Sequence, residues 1–227
     1  GPDGPDGPDG RPIPKLLKIN VKLCCVLCAI STKGRRSSWT SRCASAKSEL
    51  KPEDVISSIT EEIITEIKNR PDLAKGNLGS INDLVDEKVM PILDFEKMTA
   101  LAVGKKWKFA TELQRVDLMH SFRQLLLLSY SGSIKFAEQA RVKILPPRRK
   151  EGAKSVIVKT RVSVPGQQAM PVNYRMKLTK NGWKIYDLNV LGLWLVENYR
   201  VQFSQIVNSK GIDGLIKEIQ EKNSKLL

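Results

Sequence analysis

The segment 174–216 constrains the fold more than any other part of the chain. Apolar and charged residues alternate at its start, in the order Tyr174, Arg175, Met176, Lys177, Leu178. This period of two predicts a half-buried strand. The pair Asn181-Gly182 predicts a tight hairpin with positive φ angles, so a second strand should follow over 183–190. After Gly192 the apolar residues recur at helical spacing, which predicts a long helix from residue 193 onward.

The preceding part of the chain predicts helices first and strands second. Helices are predicted over 52–69, over 81–89 with an end before Pro91, over 95–103 between an Asp94 N-cap and Gly104, and over 112–134, the longest helical pattern. Strands are predicted over 142–145, 156–162, 172–178 and 183–190. Helices followed by an antiparallel meander and one more helix define an α+β fold.

Motifs for catalysis and metal binding are scarce. His120 is the only histidine, and it lies within an apolar helical pattern, where a structural role is the expected one. No serine stands in a Gly-x-Ser-x-Gly motif, and no His/Cys cluster has metal-ligand spacing. We therefore predict a protein that is not an enzyme, with no catalytic residue and no metal site. Asp187 keeps an alternative open, because an aspartate acts as the base in cone-shaped isomerases.

The net charge of +14 favours an anionic partner. The densest basic cluster is Arg148-Arg149-Lys150, which follows two prolines on a predicted loop. Sites for single-stranded nucleic acid interleave such charges with aromatic residues, and this cluster has none. Nucleic acid is therefore not predicted as a partner. Lipid phosphates and an acidic protein remain open as partners for the same charges.

The first 46 residues have the features of an export signal. The apolar run 23–30 follows three lysines and precedes Ala44-Ser45-Ala46, a small-x-small cleavage site. This part also contains all four cysteines: Cys24, Cys25, Cys28 and Cys43. We predict a leader over 1–46 and a single domain over 47–227, which owes nothing to disulfides.

Two separated blocks of sequence resemble one known family. The first, over 89–130, contains Asp-Phe-x-x-Met, Gly-x-x-Trp and a Leu-rich run that ends in Tyr130. The second contains GWKIYDLNVLG, LVENYRVQF and KGIDGLI. Together they resemble the MlaC family of toluene-tolerance or organic-solvent-tolerance periplasmic proteins. The resemblance implies a nuclear-transport-factor-like cone, in which N-terminal helices pack on a curved antiparallel sheet and enclose an apolar cavity for the acyl chains of a phospholipid.

The resemblance also implies a function. A family member would carry glycerophospholipid through the periplasm of a Gram-negative bacterium, between an inner-membrane MCE-domain ABC transporter and an outer-membrane lipoprotein–porin complex. This traffic would maintain the lipid asymmetry of the outer membrane. Phospholipid would be the cargo, no cofactor is expected, and the protein is expected to be a monomer. Two alternatives are a cone-fold isomerase or hydrolase that uses Asp187 and a binding module for another apolar ligand.

Ten residues are predicted to contact the lipid, on inward strand positions and apolar helix faces: Val158, Val162, Val172, Tyr174, Met176, Trp194, Tyr199, Phe203, Phe122 and Leu126. Trp194 stands where the family usually has Ser. It is placed one residue into the final helix, with its ring in the cavity, on its rim or on the outside of the sheet. Without the resemblance, a filled core is the simpler interpretation of these apolar residues.

Overall fold

The computed structural model describes residues 50–227. Its first half is helical: α1 (Pro52–Asn69), α2 (Pro71–Ala74), α3 (Leu78–Leu84), a π-helical turn (Val85–Val89), a 3-10 turn (Met90–Ile92), α4 (Phe95–Val103), a 3-10 turn (Gly104–Phe109), α5 (Glu112–Tyr130) and a 3-10 segment (Ser131–Gln139). The second half contains β1 (Arg141–Ile144), β2 (Ser155–Ser163), β3 (Met170–Thr179), β4 (Gly182–Val190), β5 (Leu193–Trp194) and α6 (Leu195–Leu226). The α+β prediction is confirmed. The predicted leader, its cysteines and its cleavage site lie outside the described residues.

The strands form one antiparallel sheet in the order β1-β2-β3-β4-β5. Buried and exposed residues alternate strictly along β2, so one face of the sheet is covered and the other faces solvent. A bulge in the pairing of β3 with β4 falls between Arg175 and Met176. Because the bulge adds a residue to β4, Ile185 and Leu188 both pair with inward residues although they are three positions apart.

Local signals explain most helix ends. The Asp94 side chain accepts a hydrogen bond from the Lys97 N–H and caps α4, and Gly104 ends that helix with a φ of 78°. Thr111 and Gln114 form a capping box at the start of α5. The predicted bounds of α1 and α4 are confirmed.

The apolar residues divide into two buried clusters. The first lies between the inner face of the sheet and the stripe Ile56, Ile59, Ile63 and Ile67 of α1, together with residues of α3. The second joins α4, α5 and α6 and contains four aromatic rings: Phe95, Phe122, Tyr199 and Phe203. The helices therefore pack in two places: the first cluster lies on the inner face of the sheet, and the second contacts the sheet through Tyr186 of β4.

Several predicted details were wrong. The helix predicted over 81–89 keeps α geometry only to Leu84 and continues as a π turn. The helix predicted over 112–134 ends at Tyr130, and the predicted final helix is divided by a kink at Gly211, whose φ of 71° and ψ of −174° are not helical. The hairpin between β3 and β4 has the two-residue loop Lys180-Asn181, which is followed by Gly182. Gly182 alone has a positive φ there, whereas the prediction gave a positive φ to Asn181 as well.

Candidate ligand-binding site

A small apolar pocket lies between the π turn, α4, α5 and β4. Its volume is about 130 Å³. It is lined by Ile81, Val85, Val89, Met90, Leu93, Phe95, Met98, Arg123, Leu126, Leu127, Tyr130, Ser131, Ile185, Leu188 and Leu195. Apart from Arg123, Tyr130 and Ser131 the lining is hydrocarbon or thioether, so the pocket suits an apolar ligand.

Polar contacts hold one wall of this pocket in place. The Arg123 guanidinium on α5 donates to the Asn82 side-chain oxygen at 3.0 Å and to the Asp86 carboxylate at 2.6 Å. Lys88 on the π turn lies 3.3 Å from Glu62 on α1. The wall formed by the π turn is thus attached to α5 on one side and to α1 on the other.

An open groove of about 950 Å³ runs along the outer edge of β2. It exists because β1 is short: the last backbone bond between them joins the Leu145 N–H to the Lys159 carbonyl, which leaves the edge of 155–158 without a neighbouring strand. The basic loop 146–150 borders the groove. Arg149 in this loop forms an ion pair with Glu53 of α1, which ties the loop to the helical layer.

The groove and the pocket lie at opposite ends of the same rows of side chains. One cross-strand row runs Val158, Tyr174, Leu188, and the next runs Val156, Met176, Ile185. The β2 member of each row lines the groove, and the β4 member lines the pocket. Tyr174 and Met176 lie between the two spaces and are fully buried.

The structure distributes the ten predicted lipid contacts over four environments. Five of them lie on the inner face of the sheet and are buried: Val158, Val162, Val172, Tyr174 and Met176. Leu126 lines the apolar pocket. The other three helical residues belong to the second buried cluster, where the ring of Phe122 lies 5.1 Å from that of Tyr199 and 5.3 Å from that of Phe203.

Trp194 lies on the opposite face of the sheet. It belongs to β5 and is the N-cap of α6, so its predicted position inside the helix was wrong. The Arg175 guanidinium lies over its ring, 3.8 Å from the centroid, and Arg175 alternates with the inward Tyr174 and Met176. Of the three positions considered for the ring, the structure therefore shows the one on the outer face.

Asp187 is buried at the junction of β4 and α6. One carboxylate oxygen accepts the N–H groups of Leu188 and Val196, at 2.8 and 2.9 Å, and the other lies 3.3 Å from Arg175. Burial raises the pKa of Asp187, against the two backbone hydrogen bonds and the Arg175 charge, which lower it. The carboxylate holds the end of a strand and the start of a helix. Its ion-pair partner is Arg175.

Sequence reasoning missed most of the pocket lining. Helical spacing of Ile81, Val85 and Val89 indicated a buried face, but it did not indicate what that face contacts. The π turn and the bulge in β4 have no signature in the hydrophobic period. Both features, however, decide which side chains reach the pocket.

Two features are absent from residues 50–227. Within that part of the chain, no helix combines the length and hydropathy needed to cross a membrane. No group of three or more His, Cys, Asp or Glu side chains in the same residues has the arrangement of a metal site.

The fold and the site define a class: an α+β protein whose helices cover one face of an antiparallel sheet and enclose an apolar pocket. The family model described as MlaC protein matches residues 57–221. This chain therefore belongs to the MlaC family, and the resemblance seen in the sequence is confirmed.

Individual relatives agree with this membership. The toluene tolerance protein ttg2D of Pseudomonas putida is 22% identical over 163 residues, which cover 71% of this chain and 75% of the relative. The intermembrane phospholipid transport system binding protein MlaC of Haemophilus influenzae is 21% identical over 184 residues, with 79% and 85% covered. A solved phospholipid-binding protein from Ralstonia solanacearum, in complex with a phospholipid, has a TM-score of 0.73 and 33% identity, with 76% of this chain and 96% of that one covered.

Proposed function

We propose that this protein binds a glycerophospholipid and carries it between membranes. The observation that carries the proposal is the apolar pocket between sheet and helices, in a fold shared at 33% identity with a protein solved in complex with a phospholipid. The acyl chains would lie along the inner face of the sheet, beside Tyr174 and Met176. The head group would remain near solvent.

The volume of the pocket sets a condition on this function. Small-molecule sites usually measure about 300–1,000 Å³, and the pocket has about 130 Å³. Two acyl chains therefore enter only if the sheet and the helices move apart. The rows that run from the pocket to the groove provide an apolar surface along which this space can extend.

The need for a carrier follows from the solubility of the cargo. Moving a phospholipid with about 30 methylenes from a membrane into water would cost roughly 20 kcal/mol of free energy, at about 0.8 kcal/mol per methylene. A protein that covers the acyl chains removes this barrier. Because the chains supply the affinity, we expect weak selectivity among head groups.

The proposed setting is the periplasm of a Gram-negative bacterium. There the protein would exchange lipid with an inner-membrane MCE-domain ABC transporter and an outer-membrane lipoprotein–porin complex, and so maintain outer-membrane lipid asymmetry. Membership of the MlaC family and the names of two relatives support this setting. The proposal that the protein binds phospholipid does not depend on this cellular setting.

Native mass spectrometry of protein purified without detergent tests the binding. We expect about one phospholipid per protein in the wild type and none in Leu126→Glu, because an unpaired carboxylate beside acyl chains is costly. Leu126 is only partly buried, so the variant should fold, as circular dichroism will show. Val201→Glu, on the exposed side of α6, is the matched control and should retain lipid. A folded wild type without lipid, or full lipid in Leu126→Glu, would contradict the proposal.

Transfer is tested separately from binding. Labelled phospholipid in one vesicle population should reach a second population across a dialysis membrane only when the protein is present. If lipid binds but does not transfer, the chain is a lipid-binding protein and not a carrier. If an apolar molecule other than phospholipid co-purifies, the alternative of another binding module gains support.

A further inference from the structure

A surface patch at the start of α5 combines exposed apolar side chains with lysines. Phe109, Leu113 and Val116 are 66%, 72% and 56% exposed. Leu113 and Val116 lie three positions apart and share a helix face, while Phe109 ends the 3-10 turn that leads into the helix. Three exposed lysines belong to the same turn: Lys105, Lys106 and Lys108. We call these six residues the Phe109 patch.

The 3-10 turn that carries this patch is held to the protein core by its other side chains. Trp107 packs on the cluster between α4, α5 and α6, and the Arg115 guanidinium lies 5.2 Å from its ring centroid. Ala110 and Leu118 supply the buried positions of the segment. The exposed apolar residues of the patch are therefore not needed for the core. Apolar side chains grouped in this way on a surface mark contact sites.

We propose that the Phe109 patch docks the protein on the surface of an anionic phospholipid bilayer. Its lysines would face the phosphates, and Phe109 and Leu113 would enter the boundary between head groups and acyl chains. Lysine beside Phe and Leu is the composition of interfacial membrane anchors. The Lys108 amine lies 4.8 Å from the Phe109 ring centroid, so charge and ring are presented together.

The composition of the patch favours a bilayer over a protein partner. Lysine is depleted in the cores of protein interfaces, where arginine and aromatic residues are enriched. Here three lysines lie within four residues of sequence, and Glu112 is the only acidic residue over 104–116. Among residues 50–227, the three lysines form no ion pair of 4 Å or less. Their charges are available to an anionic surface.

The patch is separate from the cargo site. Leu113 and Leu126 are both on α5, and a rise of 1.5 Å per residue places them about 20 Å apart along the helix. The inference takes its biological setting from the proposed function. Membrane docking can nevertheless be tested separately from cargo binding, because a change at the patch should leave the pocket intact.

Co-sedimentation with sucrose-loaded vesicles tests the docking. We expect wild-type protein to bind vesicles of equal phosphatidylglycerol and phosphatidylcholine far more strongly than vesicles of phosphatidylcholine alone. Each lysine near an anionic surface contributes roughly fivefold, so Lys105/Lys106/Lys108→Gln should lower binding by about a hundredfold. Phe109→Ser with Leu113→Ser should lower it by at least about tenfold, since the apolar contact is lost.

Two control variants match these changes at other places on the surface. Lys68/Lys75/Lys180→Gln removes the same net charge, and Val201→Ser with Leu226→Ser removes exposed apolar area. Both should bind vesicles like the wild type. Equal binding by patch and control variants would overturn the proposal, and so would patch variants that keep vesicle binding but lose binding to a membrane-protein complex. Native mass spectrometry should find wild-type cargo in the patch variants, so failure of docking and failure of cargo binding are distinguishable.

Discussion

Removing the Asp187 carboxylate should destabilise the protein far more than removing its charge. Trp194 is the N-cap residue of α6, and its side chain accepts no hydrogen bond from the helix. The Asp187 side chain of β4 accepts the Val196 N–H in its place. Replacing Asp187 with Ala leaves two buried N–H donors without an acceptor. At about 1–3 kcal/mol for each donor, the expected loss is about 4 kcal/mol.

Asp187→Asn provides the matched comparison. The amide oxygen can still accept both N–H groups, and Arg175 keeps its 2.6 Å contact with Glu197. The ion pair with Asp187 is lost, but so is the desolvation of the buried charge that raises the pKa of Asp187, so we expect a stability within about 1 kcal/mol of the wild type. Urea unfolding followed by circular dichroism measures both values, and hydrogen exchange at Val196 should be fast only in the Ala variant. Equal losses in the two variants, or a loss below about 1 kcal/mol for Ala, would refute the capping role.

Three further predictions concern charges elsewhere in the same fold. Because the pKa of Asp187 is raised in the folded state, the folded protein binds a proton before the unfolded chain does, so this group should add stability as the pH falls from neutral towards 3.8 and add no more below that value; urea midpoints should show this component in the wild type and not in Asp187→Asn. Arg123→Ala removes the ion pair with Asp86 and should cost about 1 kcal/mol while speeding lipid uptake from vesicles; unchanged uptake would argue against outward movement of the wall formed by the π turn. Arg161→Glu replaces a like-charge cross-strand neighbour of Lys143 and should stabilise the sheet by about 0.5 kcal/mol in urea unfolding, whereas a loss would contradict the pairing.

Elements with local stop signals could be predicted from the sequence. Pro71 marks the end of α1, and Asp94 and Gly104 bound α4, because capping and φ preferences act within a few residues. The strands β1 to β4 were predicted within two residues for the same reason: alternation and turn residues are local properties. The family blocks then identified the fold as a whole.

The site depended on features that are not local. A strict period of two along β4 would put Tyr186 on the same face as Leu188. The bulge instead places Ile185 as well as Leu188 on the inner face, and Asp187 pairs with Arg175. Likewise, the two-residue strand β5 fixes Trp194 on the outer face before α6 begins, whereas helical spacing alone placed that residue inside the helix.

The ion pairs that hold the pocket wall are weak enough for a bound lipid to move the wall outward. The π turn is attached through Asp86 and Glu62, whose side chains are 57% and 49% exposed. Ion pairs with such an exposed partner are worth about 0–1 kcal/mol each. Burying two or three methylenes of an acyl chain offsets that amount, at about 0.8 kcal/mol per methylene. A lipid with about 30 methylenes can therefore drive this wall outward, while the inner face of the sheet, held by its continuous strand pairing, remains the fixed side of the site.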